Sequence, residues 1–330
     1  MRSLLIGVTT SKYAYELLKD GFDYQGINLL LLKNNPSSLI KLKNLFSDYK
    51  LLIIFRDIFN NKNFESLVYK VLRKHKLAII DLEDDLLIHR IIKYNSVLYF
   101  KREFPKNIFN KKVLYRLILD IIKTKDKTSF LNFYDTIRMY KSNIIFPFPL
   151  TYFNHRIEIL SNKKKYTVSY IVSLHFKPNI FNILSRGSVW KKRIKIARLV
   201  SKYPACYVRV SSTHSYKIEH EKYLEILSSS LCSIAPHSIS YDTFRYWEIP
   251  YAGTVLVAEK PLTIIPNNFI EGKHAFFFKS LSELKSIIEY IISDPDLAIK
   301  IGKEARDFVL KYHSPKARVE YLVNIIKSSS

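Results

Sequence analysis

The chain has 330 residues, 48% of them hydrophobic, and 53 basic against 29 acidic side chains, for a formal net charge of +24. That length and apolar content allow two domains, each with its own core. Two cysteines and seven glycines exclude a disulfide framework, a cysteine metal cluster and a Gly-rich phosphate cradle, and neither G-x-G-x-x-G nor a P-loop occurs. No run of about 18 uncharged apolar residues is present, so no membrane-spanning helix is expected. Met1–Val8 reads as a first strand, because its apolar part is short and Lys12, Glu16 and Lys19 follow at once. A reducing, cytoplasmic setting is the plain expectation. Basic charge is dense at Lys101–Lys127 and at Lys191, Lys192, Arg193, Lys195 and Arg198. Such patches attract nucleic acid, anionic lipid headgroups or phosphorylated substrates; a solvated helix face is the plainer reading of each.

In chain order, the first half alternates short apolar runs with amphipathic segments. The spacing predicts strands at Leu4–Val8, Ile27–Leu32, Leu51–Phe55, Leu77–Ile80 and Val97–Phe100. Helices are predicted near Tyr13–Lys19, Leu39–Phe46 and Phe64–Lys74, and one helical stretch over 107–140. Phe-Pro-Phe-Pro-Leu within Ile144–Leu150 excludes a helix and stiffens the chain. It marks a boundary between a first domain, 1–150, and a second, 151–330. The second half predicts strand Thr167–Ser173, helix Val189–Lys202, strand Cys206–Val210, helix Glu219–Ser229 and strand Leu231–Ala235. A short helix follows, then strands Thr254–Ala258 and Phe276–Phe278. Helices Leu281–Ser293, Leu297–Tyr312 and Ala317–Lys327 close the chain. The expected fold class is α/β: two Rossmann-like domains of parallel sheet covered by helices, with an interdomain cleft. Such a pair of domains serves binding proteins, transferases, kinases and epimerases alike, so function must come from the site.

The stretch richest in chemistry is Tyr241–Gly253, Tyr-Asp-Thr-Phe-Arg-Tyr-Trp-Glu-Ile-Pro-Tyr-Ala-Gly. It follows a strand, and ligands of open parallel sheets bind at the carboxyl ends of strands, beside the next helix. Ser240, Asp242 and Thr243 are suited to cap that helix. Arg245 and Glu248, three residues apart, share one of its faces. A carboxylate there can accept both hydroxyls of a ribose, while an arginine and backbone N–H groups can hold a diphosphate. Pro250 leaves the carbonyl of Tyr246 free, so the helix should be short or kinked. The plainer alternative is a surface ion pair worth about 0–1 kcal/mol, with Phe244, Tyr246, Trp247 and Tyr251 as ordinary core.

This motif resembles the donor-site signature of group-1-like glycosyltransferases related to spore-maturation glycosyltransferases. Asn268–Gly272 before Ala275–Phe278 is similar to their segment after the donor helix. Ser282-Glu283-Leu284, Asp294-Pro295, Ile301–Ala305, His313 and Arg318 are similar to their closing helices. Tyr99–Phe104 resembles a segment they carry before the linker. The resemblance implies a GT-B fold and transfer of a sugar from a nucleoside-diphosphate sugar, the donor being a substrate and no cofactor being needed. It implies that Glu248 holds the donor ribose and that Ser240, Tyr241, Asp242, Thr243 and Arg245 approach the diphosphate. It also implies a basic residue after the first strand of the second domain, for which Lys177 and Arg186 are the candidates. Many retaining relatives carry a second glutamate where this chain has Ser240, which leaves retention of configuration open.

The acceptor would be a glycan, a lipid-linked sugar or a protein, with peripheral contact to an anionic membrane as a further partner. Nucleic acid as acceptor, or a GT-B binding protein that has lost catalysis, are the rival readings. Asp84 and Asp85, in the loop after strand Leu77–Ile80, are candidate general bases, or else cap the next segment. His237, directly after strand Leu231–Ala235, is the histidine expected near the donor. His89, His175, His214 and His237 lack metal-ligand spacing. Asp294-Pro295-Asp296 fits the Asp-x-Asp pattern of manganese-binding transferases but reads as an interhelix turn, so no metal is expected.

Overall fold

A computed structural model of the protein describes residues 5–33, 35–48, 51–71, 76–94, 97–124, 129–152, 163–174, 180–211, 218–238, 240 and 242–329. The chain forms two compact units. The first comprises Met1–Asn154, Thr263–Pro266 and Ser314–Ser330; the second comprises His155–Leu262 and Asn267–His313.

In the first unit, strands β1 (Leu5–Thr9), β2 (Asn28–Leu31), β3 (Leu51–Phe55), β4 (Lys76–Asp81), β5 (Val97–Lys101) and β6 (Ile145–Pro147) form one sheet in the order β2-β1-β3-β4-β5-β6. Every pairing in it is parallel. A parallel sheet is covered on both faces, so its central strands read as continuous apolar runs. Leu52–Phe55 and Leu77–Ile80 are buried throughout. Helices α1 (Lys12–Tyr24), α2 (Pro36–Asp48), α3 (Lys62–Val71), α4 (Lys111–Lys123) and α5 (Phe133–Tyr140) connect these strands.

Two local expectations change here. The stretch 107–140 is two helices, not one: Asn110 caps α4 and Asn132 caps α5, its side chain accepting from the Asp135 backbone N–H at 2.9 Å. The proline-rich Ile144–Leu150 includes strand β6, which tolerates Pro147 because it lies at the sheet edge.

The second unit holds β7 (Tyr166–Ser173), α6 (Ile180–Val200), β8 (Tyr207–Ser211), α7 (His220–Ser228), β9 (Ser230–Ala235), α8 (Phe244–Tyr251), β10 (Val255–Glu259), β11 (Ala275–Phe278), α9 (Leu281–Ser293) and α10 (Pro295–His313). Its sheet has the order β11-β10-β9-β7-β8, again parallel in every pairing. Helix α6 begins nine residues before the expected Val189, because Ser185, Gly187 and Ser188 lower the helical signal without breaking the helix. Val168, Tyr170, Ile196, Ile234, Val257, Leu284 and Ile288 build its core.

The last helix, α11 (Pro315–Ser328), was expected with the second domain but belongs to the first unit, where it packs on α1. Arg318 on α11 is buried and donates to the Leu150 carbonyl at 3.2 Å. Among the described residues no helix is long and apolar enough to cross a membrane.

Candidate functional site

The site is built on α8, which follows β9 as expected. The helix is eight residues long, with Thr243 at its N-cap and Pro250 in its last turn. Thr243 caps through an extended backbone; its side chain makes no capping bond, which differs from the expectation. Gly253 adopts φ +71° just after the helix, a conformation that glycine tolerates without strain. A Cβ on Gly302 would run into the Gly253 carbonyl oxygen, so α10 lies directly on this turn.

One face of α8 is core. Tyr246, Trp247 and Tyr251 are buried. Tyr246 donates its hydroxyl to Asn268 Oδ1 at 2.6 Å, and Trp247 packs on His313 with ring centroids 4.6 Å apart. His313 Nε2 lies 2.7 Å from the Asn267 carbonyl oxygen. The plainer reading therefore holds for Tyr246, Trp247 and Tyr251 but not for Phe244, which is half-buried, and the Asn268, Phe269 and His313 segments pack on or bond to this face of α8.

The other face carries Glu248, only 6% exposed. Tyr223 on α7 donates its hydroxyl to Glu248 Oε2 at 3.0 Å. Burial pushes the Glu248 carboxyl up to about 7, against the lowering effects of the Tyr223 bond and the Arg245 charge. Arg245 donates from Nη1 to the Ile171 carbonyl at 3.3 Å, and its buried Nε has no hydrogen-bond partner among the described residues. Tyr223 and Arg245 both line a cavity of about 220 Å³, together with Ser173, Arg209, Ser211 and His220. It opens at the carboxyl ends of β7 and β8, where the parallel-sheet rule places a ligand. Two guanidiniums, hydroxyls and an imidazole on its wall suit an anionic, hydrogen-bonding guest.

Ser240 and Asp242 are both buried beside α8. Tyr241 and Lys177 lie outside the described residues, as does the Arg186 side chain, although Arg186 falls within α6. His175 and His214 are outside them too.

His237 occupies a separate cluster. Its Nε2 is 3.0 Å from Glu259 Oε1, and its Nδ1 is 3.0 Å from the Ser238 carbonyl oxygen. Lys192 on α6 reaches Glu259 Oε2 at 2.5 Å. Burial would raise Glu259, but His237 and Lys192 bring its carboxyl down to about 2. Lys192 Nζ also lies 3.4 and 3.3 Å from His237 Nδ1 and Nε2; both ring nitrogens are thus engaged within the protein, and the geometry argues against His237 as a base.

In the first unit, Asp81, Asp85, Arg56 and Lys101 form a buried ionic knot after β4. Arg56 binds Asp85 through both terminal nitrogens at 2.8 and 2.9 Å, and Lys101 reaches Asp81 at 2.9 Å and Asp85 at 3.1 Å. Burial alone would raise Asp85, but Arg56 and Lys101 hold it well below the usual carboxylate range. Asp85 also accepts from the Leu87 backbone N–H at 3.0 Å. That favours the capping alternative for Asp85 and argues against the base role expected for it. Asp84 is more exposed and pairs with Arg102. Among the described residues no group of three or more His, Cys, Asp or Glu gathers as metal ligands do.

Tyr223, Arg209, Lys192 and Glu259 escaped the sequence reading. Glu259 ends a parallel strand, a position that could have singled it out. Lys192 was legible only as part of a basic run, and Tyr223 carried no local signal because its partner is 25 residues away.

Residues 175–324 match the family model described as "Glycosyl transferase-like". Among solved structures, the glycosyltransferase from Rickettsia africae aligns with TM-score 0.51 at 11% identity, over 98% of this chain and 97% of that one. HepE from Anabaena, in complex with UDP and glucose, aligns with TM-score 0.52 at 10% identity, over 98% and 99%. TarM from S. aureus aligns with TM-score 0.42 at 12% identity over 89% of this chain, which spans 59% of TarM's length. No curated protein matches the sequence. The fold and the matched segment define the class: an α/β protein of GT-B architecture. Within that fold, the segment 175–324 is similar to the glycosyl transferase-like family, whose model covers less than half of the chain.

Proposed function

We propose that the protein transfers a sugar from a nucleoside-diphosphate sugar to a hydroxyl of a glycan, a lipid-linked sugar or a protein, without a metal ion. One observation carries the reading. Glu248 is a buried carboxylate held by Tyr223 on one oxygen, and its neighbours Tyr223 and Arg245 line a cationic cavity at the strand ends. A carboxylate so placed suits the two hydroxyls of a ribose, whose O–H groups would compensate its burial. The Arg245 guanidinium, whose buried Nε has no hydrogen-bond partner among the described residues, and the positive end of the α8 dipole suit the diphosphate, whose negative charge grows as the glycosidic bond breaks. Ser240, Asp242 and Thr243 lie just before the first turn of that helix; with Tyr241, which falls among them in sequence, we assign them to the donor, and Lys177 and Arg186 are the further cations we assign to the leaving group. For the acceptor proton we assign Asp84, the more exposed of the two candidate carboxylates. We place the donor in the second unit and the acceptor with the first.

The HepE structure holds UDP and glucose, so uridine diphosphate is the first nucleotide to test. Purified protein in excess chelator is screened by thermal shift against the five common nucleoside diphosphates. One should stabilise it by about 2.7 kcal/mol at a hundredfold over its dissociation constant, and Glu248→Ala should abolish the shift. The reading fails if none binds, if the variant binds equally well, or if binding and transfer both require added metal.

Ser240, buried where many resembled relatives carry glutamate, favours a second reading in which the donor is bound but no longer used. Donor-sugar hydrolysis by the wild type, lost in Glu248→Ala, eliminates it. The net charge of +24 supports a nucleic-acid acceptor as the other alternative, which requires a glycosylated nucleic-acid product.

A further inference from the structure

Helix α4 presents apolar side chains on both of its faces. The inner face buries Val113, Leu117 and Leu119, as a surface helix must. The outer stripe should then be polar, yet Tyr115, Ile118 and Ile122 are 50%, 45% and 51% exposed. Their spacing puts them on one line along the helix. Phe109, just before the cap, is 53% exposed, and Tyr134 on the neighbouring α5 is 82% exposed. Single exposed hydrophobics need no explanation, but a row of them does.

The rim of this row is basic. Lys106, Lys111, Lys112, Lys123 and Lys141 lie along it in sequence, and Lys141 stands 4.6 Å over the Phe109 ring. Each carboxylate of the described residues 103–141 is engaged. Glu103 pairs with Arg116 at 2.8 Å, Asp120 accepts from the Leu86 backbone N–H at 3.0 Å, and Asp135 pairs with Lys93 at 2.8 Å.

We propose that the outer face of α4, with Phe109 and Tyr134, docks on an anionic bilayer surface. A helix lying in the interface sinks its apolar row to the boundary of headgroups and acyl chains. Lysine stems follow the apolar surface while their ammonium groups stay among the headgroups. Each lysine near an anionic leaflet strengthens binding by about fivefold. Charge complementarity selects this occupant over a second copy of the chain, whose lysine rim would face a like rim. Nucleic acid would reward the lysines and the aromatics but offers nothing to Ile118 and Ile122. The proposal does not depend on the donor site, which lies on α7 and α8.

Flotation of the full-length protein with phosphatidylcholine vesicles, with and without phosphatidylglycerol, tests it. The wild type should float only with the anionic lipid and be released by high salt. Ile118→Glu with Ile122→Glu should abolish flotation while thermal melting and nucleotide binding stay unchanged; if that pair melts early, Ile118→Ser with Ile122→Ser replaces it. Lys111→Gln with Lys112→Gln should weaken binding about twenty-five-fold. Three results overturn the proposal. One is undiminished flotation of the isoleucine variants. Another is a wild-type dimer that these variants return to monomer. The third is duplex DNA binding lost with the lysines while vesicles are ignored.

Discussion

Replacing Glu248 by glutamine should make the empty protein more stable and, with the ribose role proposed for this residue, nucleotide binding weaker. The side chain is buried, and burial raises its carboxyl from an ordinary 4.5 to about 7. A raised acid resists ionisation in the folded state, so folding pays no penalty below pH 4.5. The penalty grows between 4.5 and 7 and is complete above 7. A shift of that size corresponds to about 3 kcal/mol at pH 8 and under about 1 kcal/mol at pH 5. Glutamine is neutral at both, and its carbonyl still accepts from Tyr223. Glu248→Gln should therefore melt about 6–12 °C above the wild type at pH 8, and close to it at pH 5. Its affinity for the nucleoside diphosphate should fall by about tenfold to a hundredfold, the loss of a charge-assisted hydrogen bond. Melting curves at the two pH values, with calorimetric titration of nucleotide, measure both effects. A variant no more stable at pH 8, or one that binds nucleotide as the wild type does, would refute the burial argument or the ribose role respectively.

Arg245→Ala should weaken nucleoside diphosphate about tenfold and flatten the salt dependence of binding, as calorimetry at two ionic strengths will show. Glu259 sits at about 2 in the fold against an ordinary 4.5, so its contribution is present above pH 4.5 and lost as pH falls to 2. Glu259→Gln should cost about 3 kcal/mol in urea unfolding at pH 7 and nothing near pH 2. Asp85→Asn should destabilise by about 3–5 kcal/mol, because Arg56 and Lys101 lose a buried partner. Its transfer rate per folded molecule should be unchanged, and a specific loss of rate would restore Asp85 as a base. Gly302→Ala should cost about 1–3 kcal/mol through its clash with the Gly253 carbonyl, read from the denaturation midpoint.

The alternation of apolar runs with amphipathic segments was enough to announce two parallel α/β sheets. Strand Leu51–Phe55 and helix Leu281–Ser293 agree with expectation residue for residue, because buried strands and capped helices are written in neighbouring positions. The placement of Glu248 and Arg245 was legible for the same reason: one turn separates them on a helix that follows a strand. The local signal failed where composition blurred it, as at Ser185-Arg186-Gly187-Ser188 in the first half of α6, or where caps fell inside one apolar pattern, as between α4 and α5.

What only the tertiary structure decided involves partners far apart in sequence. Tyr223 sets the Glu248 carboxylate from another helix, and Arg209 joins Arg245 from a neighbouring strand. Asp85, read as a candidate general base or else a cap, is paired with Arg56 and Lys101, 29 and 16 residues away. His237 finds Lys192 and Glu259, and α11 joins the first unit. Sequence periodicity fixes which face of an element turns inward. It carries no information on which other element that face meets, and a side chain's charge state and role follow from that meeting.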